Sequence, residues 1–424
     1  MSEATRNGRA GPIQVLGLGM AGILDPAGME RVASADVLAG GARLLARFAH
    51  LPGERIILAS PLAAALDVVA QARDRGRRVV VLADGDPLFF GIGARLLERF
   101  GREGLRFSPG VTAVQAACAR LGLPWHDLPV VSLHGRDDPG PLLAALCAQS
   151  GPSGRVAVYT DAVNSPGALA RLLLDHGLDE ARMWVLEDLE TPSERVRLLS
   201  TQEAAGLCFS PLNLVVVEMD YPSATLPGGR SAARPMLGRP DDFYAKQAGL
   251  ITKWPARACA LAALRLRPES LLWDVGAGSG AMAVEACALI RTGRVFAVER
   301  DAGRCRMIRE NILRSGALLA QAVAGEAPEA FAGLPDPDRI FLGGSLGQGS
   351  GVLAEACIRL KPGGRLVSNT VLLGSLNKAL EHLHALGWPV ETAQVQASLS
   401  APMNGDMRLA AHNPVFIIAA DKPA

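Results

Sequence analysis

The chain has 424 residues, of which 49% are hydrophobic and 20% charged, and its formal net charge is +1 at pH 7. A single hydrophobic core stops growing at about 250–300 residues, so we expect two or more domains. The near-neutral charge argues against a general nucleic-acid binder, and no apolar run approaches the roughly 20 residues that a membrane helix needs.

The first half of the chain alternates strand and helix patterns. Its strands are continuous apolar, valine-rich runs, so we expect parallel strands covered on both faces. Asp25 and Pro26 predict a helix start, with Asp25 as the N-cap, and a second helix is expected from about Thr112. The predicted strands with their loops are 13–19, 78–87, 105–110, 155–161, 183–189 and 213–219.

The loop after the first strand contains Gly17, Gly19 and Gly22, which match the pattern GxGxxG. In a dinucleotide-binding fold the helix begins within this loop. Here the helix signal comes later, at Asp25. We therefore favour a tight turn at a substrate cleft, with Gly17 and Gly19 as candidate substrate contacts. A dinucleotide site and a purely structural turn are the alternatives.

Asp84, Gly85, Asp86 and Pro87 follow the second of these strands directly. Two carboxylates so close together would suit acid–base chemistry. An Asp/Gly turn in which proline sets φ explains the same residues. Taken alone, the residues favour the turn.

Residues 220–242 are rich in Pro, Gly, Ser and Arg and show no periodicity, which is typical of an interdomain linker. We expect a first domain over 1–220, a linker over 221–240 and a second domain over 241–424. A second α/β pattern follows the linker. It includes a helix near 350–359 and a final strand pair around 391–398 and 414–420.

The most specific pattern of the chain is LLWDVGAGSG, residues 271–280. A strand ending in Asp274 leads into glycines at 276, 278 and 280, and the next strand ends in Glu299. Glycines let the backbone approach a ligand at a helix N-terminus, and an acid about 20 residues on suits a ribose diol. The alternate glycines differ from the dinucleotide spacing, and DxGxGxG with a downstream acid resembles the S-adenosylmethionine methyltransferases. An ordinary glycine-rich turn is the alternative. Glu326, after a later strand, could approach the adenine.

No metal site is predicted. His382 and His384 are two residues apart in a helical pattern and do not share a helix face. The seven cysteines are spaced singly, as expected of buried thiols in a reduced cytoplasm. The polar first residues predict no signal peptide.

These stretches resemble known families. From about Asp241 onward the chain resembles the decarboxylating precorrin methyltransferase domain of cobalamin synthesis, and residues 13–220 resemble the tetrapyrrole methylases. Fused in one chain, the two resemble the decarboxylating precorrin-6Y C5,15-methyltransferases. The stretches that carry the likeness are VLGLGMAG, LADGDPLFFGIG, FSPGVTAVQ, SPLNLVVVE, ITK, LLWDVGAGSG, RVFAVERD, GEAPEAF, FLGGS, LKPGGRLVSN and NPVFII.

The resemblance implies an α/β protein with an N-terminal two-lobed tetrapyrrole methylase fold and a C-terminal Rossmann-like S-adenosylmethionine methyltransferase domain. It implies methylation of a tetrapyrrole at carbon 5 by the first half and at carbon 15 by the second. The second half would also decarboxylate the ring C acetate. It further implies a homo-oligomer, with neither a membrane nor a nucleic acid as partner.

It also implies S-adenosylmethionine contacts in both halves. The first-half contacts would be Asp84, Gly85, Asp86, Pro87, Phe89, Gly110, Val111 and Thr112. The second-half contacts would be Thr252, Asp274, Gly276, Ala277, Gly278, Ser279, Gly280, Glu299, Gly325, Glu326 and Ala327. Arg300 and Arg304 are candidate partners for substrate carboxylates, with simple surface roles as the alternative. No residue in the sequence identifies the acid that decarboxylation needs.

Three other functions stay open from the sequence. The same chemistry could act on the cobalt-containing macrocycle. An NAD-dependent oxidoreductase is disfavoured by the glycine spacing and by the late helix start. A non-catalytic S-adenosylmethionine-binding scaffold would bind the cofactor in one half only.

Overall fold

A computed structural model describes residues 11–19, 22–149, 153–220, 234–247, 251–343 and 351–424. Met20 and Ala21 of the first glycine motif, residues 221–233 of the predicted linker, and the end of FLGGS at 344–345 lie outside these ranges. Within these ranges, no helix combines the length and the apolar character needed to cross a membrane.

The first lobe is a five-stranded sheet with helices around it. All its strands run parallel, in the order β3-β2-β4-β1-β5. Asp25 caps α1 by accepting the Gly28 N–H at 2.6 Å, as predicted. The elements are β1 (Ile13–Leu18), α1 (Pro26–Ala33), β2 (Val37–Gly40), α2 (Ala42–Arg47), β3 (Glu54–Ile57), α3 (Leu62–Asp74), β4 (Val79–Asp84), α4 (Gly93–Phe100), β5 (Leu105–Ser108) and α5 (Ala113–Leu121).

The second lobe is a mixed sheet in the order β6-β7-β10-β8-β9. Its elements are β6 (Val130–Ser132), α6 (Gly140–Ala148), β7 (Ser153–Tyr159), α7 (Pro166–Asp175), β8 (Arg182–Glu187), β9 (Arg195–Ser200), α8 (Thr201–Ala205) and β10 (Asn213–Asp220).

The prediction of parallel strands is wrong for this second lobe. β10 runs antiparallel to both β7 and β8, and β8 is antiparallel to β9. Val215 and Val217 pack into one core cluster while Val216 packs into another, on the opposite face. Coverage of both faces therefore explains the continuous valine run, which carries no information about strand direction.

The second half has a seven-stranded sheet in the order β13-β12-β11-β14-β15-β19-β16. The first five strands are parallel, and β19 is antiparallel to both neighbours. Loops at the carboxyl ends of the parallel strands therefore meet at one edge, where ligands bind in such sheets. The elements are α9 (Trp254–Leu264), β11 (Leu271–Val275), α10 (Ala281–Ala286), β12 (Arg294–Glu299), α11 (Ala302–Ser315), β13 (Ala320–Ala324), β14 (Arg339–Gly343), α12 (Gly351–Arg359), β15 (Arg365–Thr370), α13 (Leu373–Ala385), β16 (Val390–Val395), β17 (Ser398–Met403), β18 (Asp406–Ala411) and β19 (Val415–Asp421).

The predicted final strand pair is present as β16 and β19, but the sequence did not indicate the hairpin between them. Among the strands that the structure describes, β17 and β18 pair only with each other, as a separate two-stranded sheet. The hairpin carries exposed apolar side chains, with Met407 and Leu409 59% and 73% exposed.

The two halves share a buried contact. One core cluster contains residues of both, including Leu146 and Leu173 from the first half and Ile308 and Leu318 from the second. At its edge Arg294 pairs with Asp138 at 2.7 Å. Burial of apolar surface across this contact holds the halves together.

Candidate functional site

The predicted strand, glycine loop and helix of the second half are all present, as β11, residues 276–280 and α10. Gly276, Gly278 and Gly280 have φ angles of 72°, 59° and 75°, a conformation that favours glycine. The Gly276 N–H donates to the Val298 carbonyl at 2.9 Å, which fixes the loop to β12. A Cβ added to Gly278 would meet no atom within 4 Å, so the loop borders open space.

Asp274 lies beneath this loop and is 1% exposed. Its Oδ2 accepts the Ala283 N–H at 3.1 Å, which ties β11 to the first turn of α10. Its Oδ1 has no hydrogen-bond partner within the described ranges. Burial raises the pKa of Asp274 to about 7, and the nearby Glu299 carboxylate adds to the increase. Asp274 therefore supports the loop from below.

Glu299 ends β12 beside the glycine loop and is 4% exposed. Its Oε2 accepts the Gly278 N–H at 3.0 Å, and its Oε1 pairs with Arg304 at 2.9 Å. Arg304 is therefore engaged by Glu299, and Arg300 pairs with Glu326 at 3.1 Å. The roles of both arginines toward substrate carboxylates stay predictions.

A cavity of about 1020 Å³ opens above this sheet edge. It brings together nearly all the second-half residues predicted from sequence. Gly280 does not line the cavity; it packs on Ile308, which a Cβ at Gly280 would meet at 3.0 Å. The predicted residues that line the cavity are Thr252, Asp274, Gly276, Ala277, Gly278, Ser279, Glu299, Arg300, Arg304, Gly325, Glu326 and Ala327.

The far side of the same cavity holds residues that the sequence did not single out. Asn369, Ser375, His412 and Asn413 line it there. Asn369 is the second-last residue of β15, between Ser368 and Thr370, and this polar run at the end of the strand is the signal that could have marked it. His412 lies in a loop that reaches the cavity only because β19 joins the sheet next to β15.

A buried ion pair supports the segment that contributes Thr252 to this cavity. Arg257 and Glu285 are both fully buried and pair at 2.8 Å. Arg257 also donates to the Thr252 carbonyl and to the Arg239 carbonyl. Tyr244 donates its hydroxyl to Glu285 at 3.0 Å. The pair therefore holds Thr252 and the segment before α9 against α10.

In the first half, a cavity of about 550 Å³ lies between the two lobes. Five predicted residues of the first lobe line it: Asp84, Gly85, Asp86, Phe89 and Thr112. The second lobe contributes four residues that the sequence did not mark, His134, Tyr159, Thr160 and Asp161. It also contributes Asn213, the first residue of β10, which lies in the SPLNLVVVE stretch. Burial raises the pKa of Tyr159 to about 12, so this phenol stays neutral and acts as a hydrogen-bonding group.

The two carboxylates of this loop, Asp84 and Asp86, are held by contacts within the protein. Asp84 pairs with Arg43 at 2.5 Å, and both side chains are about half exposed. Asp86 accepts the Leu88 N–H at 2.9 Å, the local bond of an aspartate turn. Phe90 has a φ of 53°, and its ring packs on Tyr159 with centroids 5.8 Å apart. The loop thus forms the predicted turn, and it contacts the other lobe.

Four more of the first-half predictions lie around a second cavity of about 780 Å³. Gly17, Gly19, Gly110 and Val111 line it, together with charged side chains that include Arg31. The predicted cofactor contacts are thus divided between two cavities. Pro87 lines neither; its carbonyl accepts the Gly93 N–H at 2.8 Å.

Three glycines form the wall between these two cavities. The Gly85 N–H donates to the Leu18 carbonyl at 2.6 Å, and the Gly110 N–H donates to the Gly85 carbonyl at 3.2 Å. A Cβ on Gly17 would lie 2.0 Å from the Gly85 oxygen and 2.4 Å from the Gly110 nitrogen. Gly17 is therefore needed for backbone packing, whichever ligand the cavities take.

Comparison with known proteins adds two family matches that divide the chain as the fold does. The tetrapyrrole (corrin/porphyrin) methylases match residues 16–205, and the precorrin methyltransferase domain matches residues 242–422.

Three relatives illustrate the range of similarity. Precorrin-6Y C(5,15)-methyltransferase [decarboxylating] of Sinorhizobium sp is 36% identical over 401 residues, which cover 93% of this chain and 92% of the relative. Cobalt-precorrin-7 C(5)-methyltransferase of Salmonella typhimurium is 40% identical over an alignment that covers 44% of this chain and 90% of the relative. Cobalt-precorrin-6B C(15)-methyltransferase (decarboxylating) of the same organism is 36% identical over an alignment that covers 41% of this chain and 89% of the relative.

Proposed function

The chain belongs to the decarboxylating precorrin-6Y C(5,15)-methyltransferase family, and we propose that it methylates precorrin-6Y at carbons 5 and 15. It also removes the carboxyl group of the ring C acetate, as a step of cobalamin biosynthesis. The observation that carries this proposal is the presence of a cavity in each half of a chain that is similar to a precorrin-6Y C(5,15)-methyltransferase [decarboxylating] over nearly its whole length.

We assign carbon 5 to the first domain, residues 1–220, and carbon 15 with decarboxylation to the second, residues 241–424, with 221–240 as linker. The two family matches, at 16–205 and 242–422, support this division. The two Salmonella typhimurium relatives also support it, because their names give the C(5) and C(15) activities to separate proteins.

The second-half cavity fits S-adenosylmethionine. Gly276 and Gly278 leave space for close approach, as the open position of a Cβ at Gly278 indicates. Glu299 lies at the correct strand end for the ribose hydroxyls, and Gly325, Glu326 and Ala327 lie beside the expected adenine position. When bound, S-adenosylmethionine supplies a methyl group already activated by its sulfonium charge.

The first-half interlobe cavity fits the same cofactor. Thr112 lies at the N-terminus of α5, where it forms a capping box with Gln115. Phe89 and Tyr159 offer aromatic surface from opposite lobes, with ring centroids 6.3 Å apart. The neighbouring cavity at Gly17 and Gly19 is then available for the tetrapyrrole.

The protein's contribution is mainly alignment. The methyl donor and the electron-rich macrocycle need no strong acid–base pair to react, so the residues must hold donor and acceptor carbons in line and exclude water. This agrees with the engagement of Asp84 and Asp86 in structural contacts.

Product analysis tests this proposal. The full chain is incubated with precorrin-6Y and methyl-labelled S-adenosylmethionine, and the product is analysed by mass spectrometry. We expect two labelled methyl groups gained and one carbon dioxide lost. If the protein turned over only the cobalt-containing macrocycle, that macrocycle would replace precorrin-6Y as the proposed substrate. NAD reduction, or cofactor binding without methyl transfer, would contradict the proposal.

We also propose that the protein is a cytoplasmic homo-oligomer. All seven cysteines are free thiols, as is common in a reducing compartment. The β17–β18 hairpin supports assembly, because an isolated two-stranded hairpin is at best marginally stable in water. Leu409 and Met407 lie on one face of it, opposite Ser400 and Pro402 respectively. A second copy packed on that face would cover them.

Replacing both Met407 and Leu409 with glutamate should reduce the particle to a smaller assembly or to the 44.4 kDa monomer. Buried glutamates at such a contact carry a large desolvation cost. Light scattering coupled to size exclusion measures the mass. Ile358→Glu, at a site 69% exposed on α12, is the matched control and should leave the mass unchanged. A monomeric wild-type protein would contradict assembly.

A further inference from the structure

Asn369 is an unusual polar residue within the second-half cavity. Its side chain is 8% exposed, and neither its Nδ2 nor its Oδ1 has a hydrogen-bond partner in the described part of the chain. A buried polar group without partners is destabilising, and each such group in a native protein calls for an explanation. Because Asn369 lines the cavity, a bound ligand can complete its hydrogen bonds.

The sheet order places Asn369 away from the proposed nucleotide contacts. Glu299 ends β12, whereas Asn369 lies in β15, and β11 and β14 lie between these strands. Adjacent strands are about 4.8 Å apart, so the two strand ends are roughly 14 Å apart. A nucleotide bound at Glu299 and the glycine loop leaves the Asn369 side of the cavity to the acceptor.

His412 reaches this side from the loop between β18 and β19. β19 runs antiparallel to β15, with Phe416 opposite Thr370, so the residues just before β19 lie beyond the carboxyl end of β15. The His412 N–H donates to the Ala397 carbonyl at 2.9 Å, which fixes the backbone there. Its imidazole forms no hydrogen bond or ion pair with the described residues.

The other titratable side chains of the cavity either form ion pairs or lie beneath the glycine loop. The engaged pairs are Glu299 with Arg304, Arg300 with Glu326, and Lys253 with Asp241. Asp274 is held under the loop by the Ala283 N–H. His412 is thus the titratable side chain of the cavity, among those described, that forms no hydrogen bond or ion pair and does not lie beneath the glycine loop. An imidazole in such a position can act as a general acid.

The surroundings suit a flat conjugated ring with carboxylates at its edge. Val371, Leu372, Val395 and Val415 line the cavity together with the polar residues. Val371 and Leu372 are 54% and 60% exposed, so this apolar surface is open to a ligand. Apolar walls with a few converging polar groups are typical of ligand sites.

We propose that Asn369 and His412 form the carboxylate subsite of the acceptor in the second half. The Asn369 amide donates to the acetate carboxylate, and His412 supplies the proton that takes the place of the carboxyl group. This inference rests on the proposed function and assigns the acid that the sequence could not identify.

The step balances without a further reagent. The bond between the acetate methylene and its carboxylate breaks, and its electron pair moves into the conjugated macrocycle as carbon dioxide leaves. The His412 imidazolium then gives a proton to the former methylene carbon, and the electron pair returns to form the new C–H bond. The side chain becomes a methyl group, and His412 regains a proton from water.

The test compares His412→Ala with His384→Ala in the full-length protein. His384 is exposed on α13 and does not line the cavity. Loss of a general acid typically slows its step 10²–10⁴-fold, so we expect carbon dioxide release to fall at least about 100-fold in His412→Ala. S-adenosylmethionine affinity should be unchanged. Added imidazole should restore part of the rate, which a merely structural role would not allow.

Carbon dioxide release by His412→Ala within threefold of wild type would overturn the assignment, and so would failure of imidazole to restore a lost rate. Absence of carbon dioxide release from the wild-type protein and from His384→Ala would instead contradict the proposed function itself.

A second variant tests the binding role of Asn369 separately from the proton transfer by His412. Asn369→Asp replaces the donor amide with an acceptor carboxylate of similar shape. We expect its affinity for precorrin-6Y, measured by difference absorbance without S-adenosylmethionine, to fall at least about tenfold, since like charges at hydrogen-bond distance repel. Unchanged precorrin-6Y affinity in a folded variant would contradict the Asn369 contact.

Discussion

Gly278→Arg should abolish S-adenosylmethionine binding by the second half while the first half continues to bind. A side chain at this position enters the open space of the cavity, because a Cβ there meets no atom within 4 Å. The φ of 59° adds roughly 1–2 kcal/mol of backbone strain for a residue other than glycine. The arginine would also crowd Glu299, which accepts the Gly278 N–H at 3.0 Å.

Equilibrium dialysis with labelled S-adenosylmethionine measures this effect as the loss of one bound cofactor per chain. Gly333→Arg is the matched control. Gly333 is exposed, has no atom within 4 Å of an added Cβ, and does not line the cavity. Wild-type binding by Gly278→Arg would remove the glycine loop from the cofactor site.

Glu285→Gln should have the largest effect on stability. Glu285 accepts from Arg257 at 2.8 Å and from the Gly238 N–H at 2.9 Å, with no solvent exposure. Removing its charge leaves the Arg257 guanidinium buried without its main partner. Breaking such a pair costs about 3–5 kcal/mol. The free energy of unfolding of the second half should decrease by this amount.

The same change should weaken cofactor binding in the second half. Arg257 donates to the Thr252 carbonyl, so a displaced guanidinium releases the segment that borders the cavity. Urea unfolding measures the stability and titration measures the affinity, with Glu381→Gln, at an exposed site on α13, as the control. A loss of stability below about 1 kcal/mol, as for a surface pair, would contradict the importance of this network.

The glycine loop of the second half could be predicted because its parts are local. The residues from Asp274 to Gly280 are contiguous, and Glu299 ends the strand that pairs beside β11. Local sequence therefore determines both the backbone conformation and the position of the acid at the same sheet edge.

Asn369 and His412 could not be predicted in the same way. They are far apart in sequence and meet at one cavity because β19 inserts antiparallel beside β15. Nothing local indicates this order of strands. The polar run Ser368–Thr370 at the end of β15 is a signal for Asn369, but its lack of partners is a property of the packed structure.

In the first half, prediction from sequence is limited for a different reason. Gly110, Val111 and Thr112 are adjacent in sequence, so all three are expected to contact the same ligand. The N-cap conformation at Thr112 instead points this residue toward the interlobe cavity, while Gly110 and Val111 line the other. Sequence locates the loop, whereas the backbone turn decides which cavity each residue faces.

The central claim is that one chain carries two methyl-donor sites, one in each half. Calorimetric titration of S-adenosylmethionine into the purified full-length protein tests it most directly. We predict two sites per chain. A single site would contradict the claim and leave the Asp84–Thr112 region as a structural turn in a substrate-holding domain.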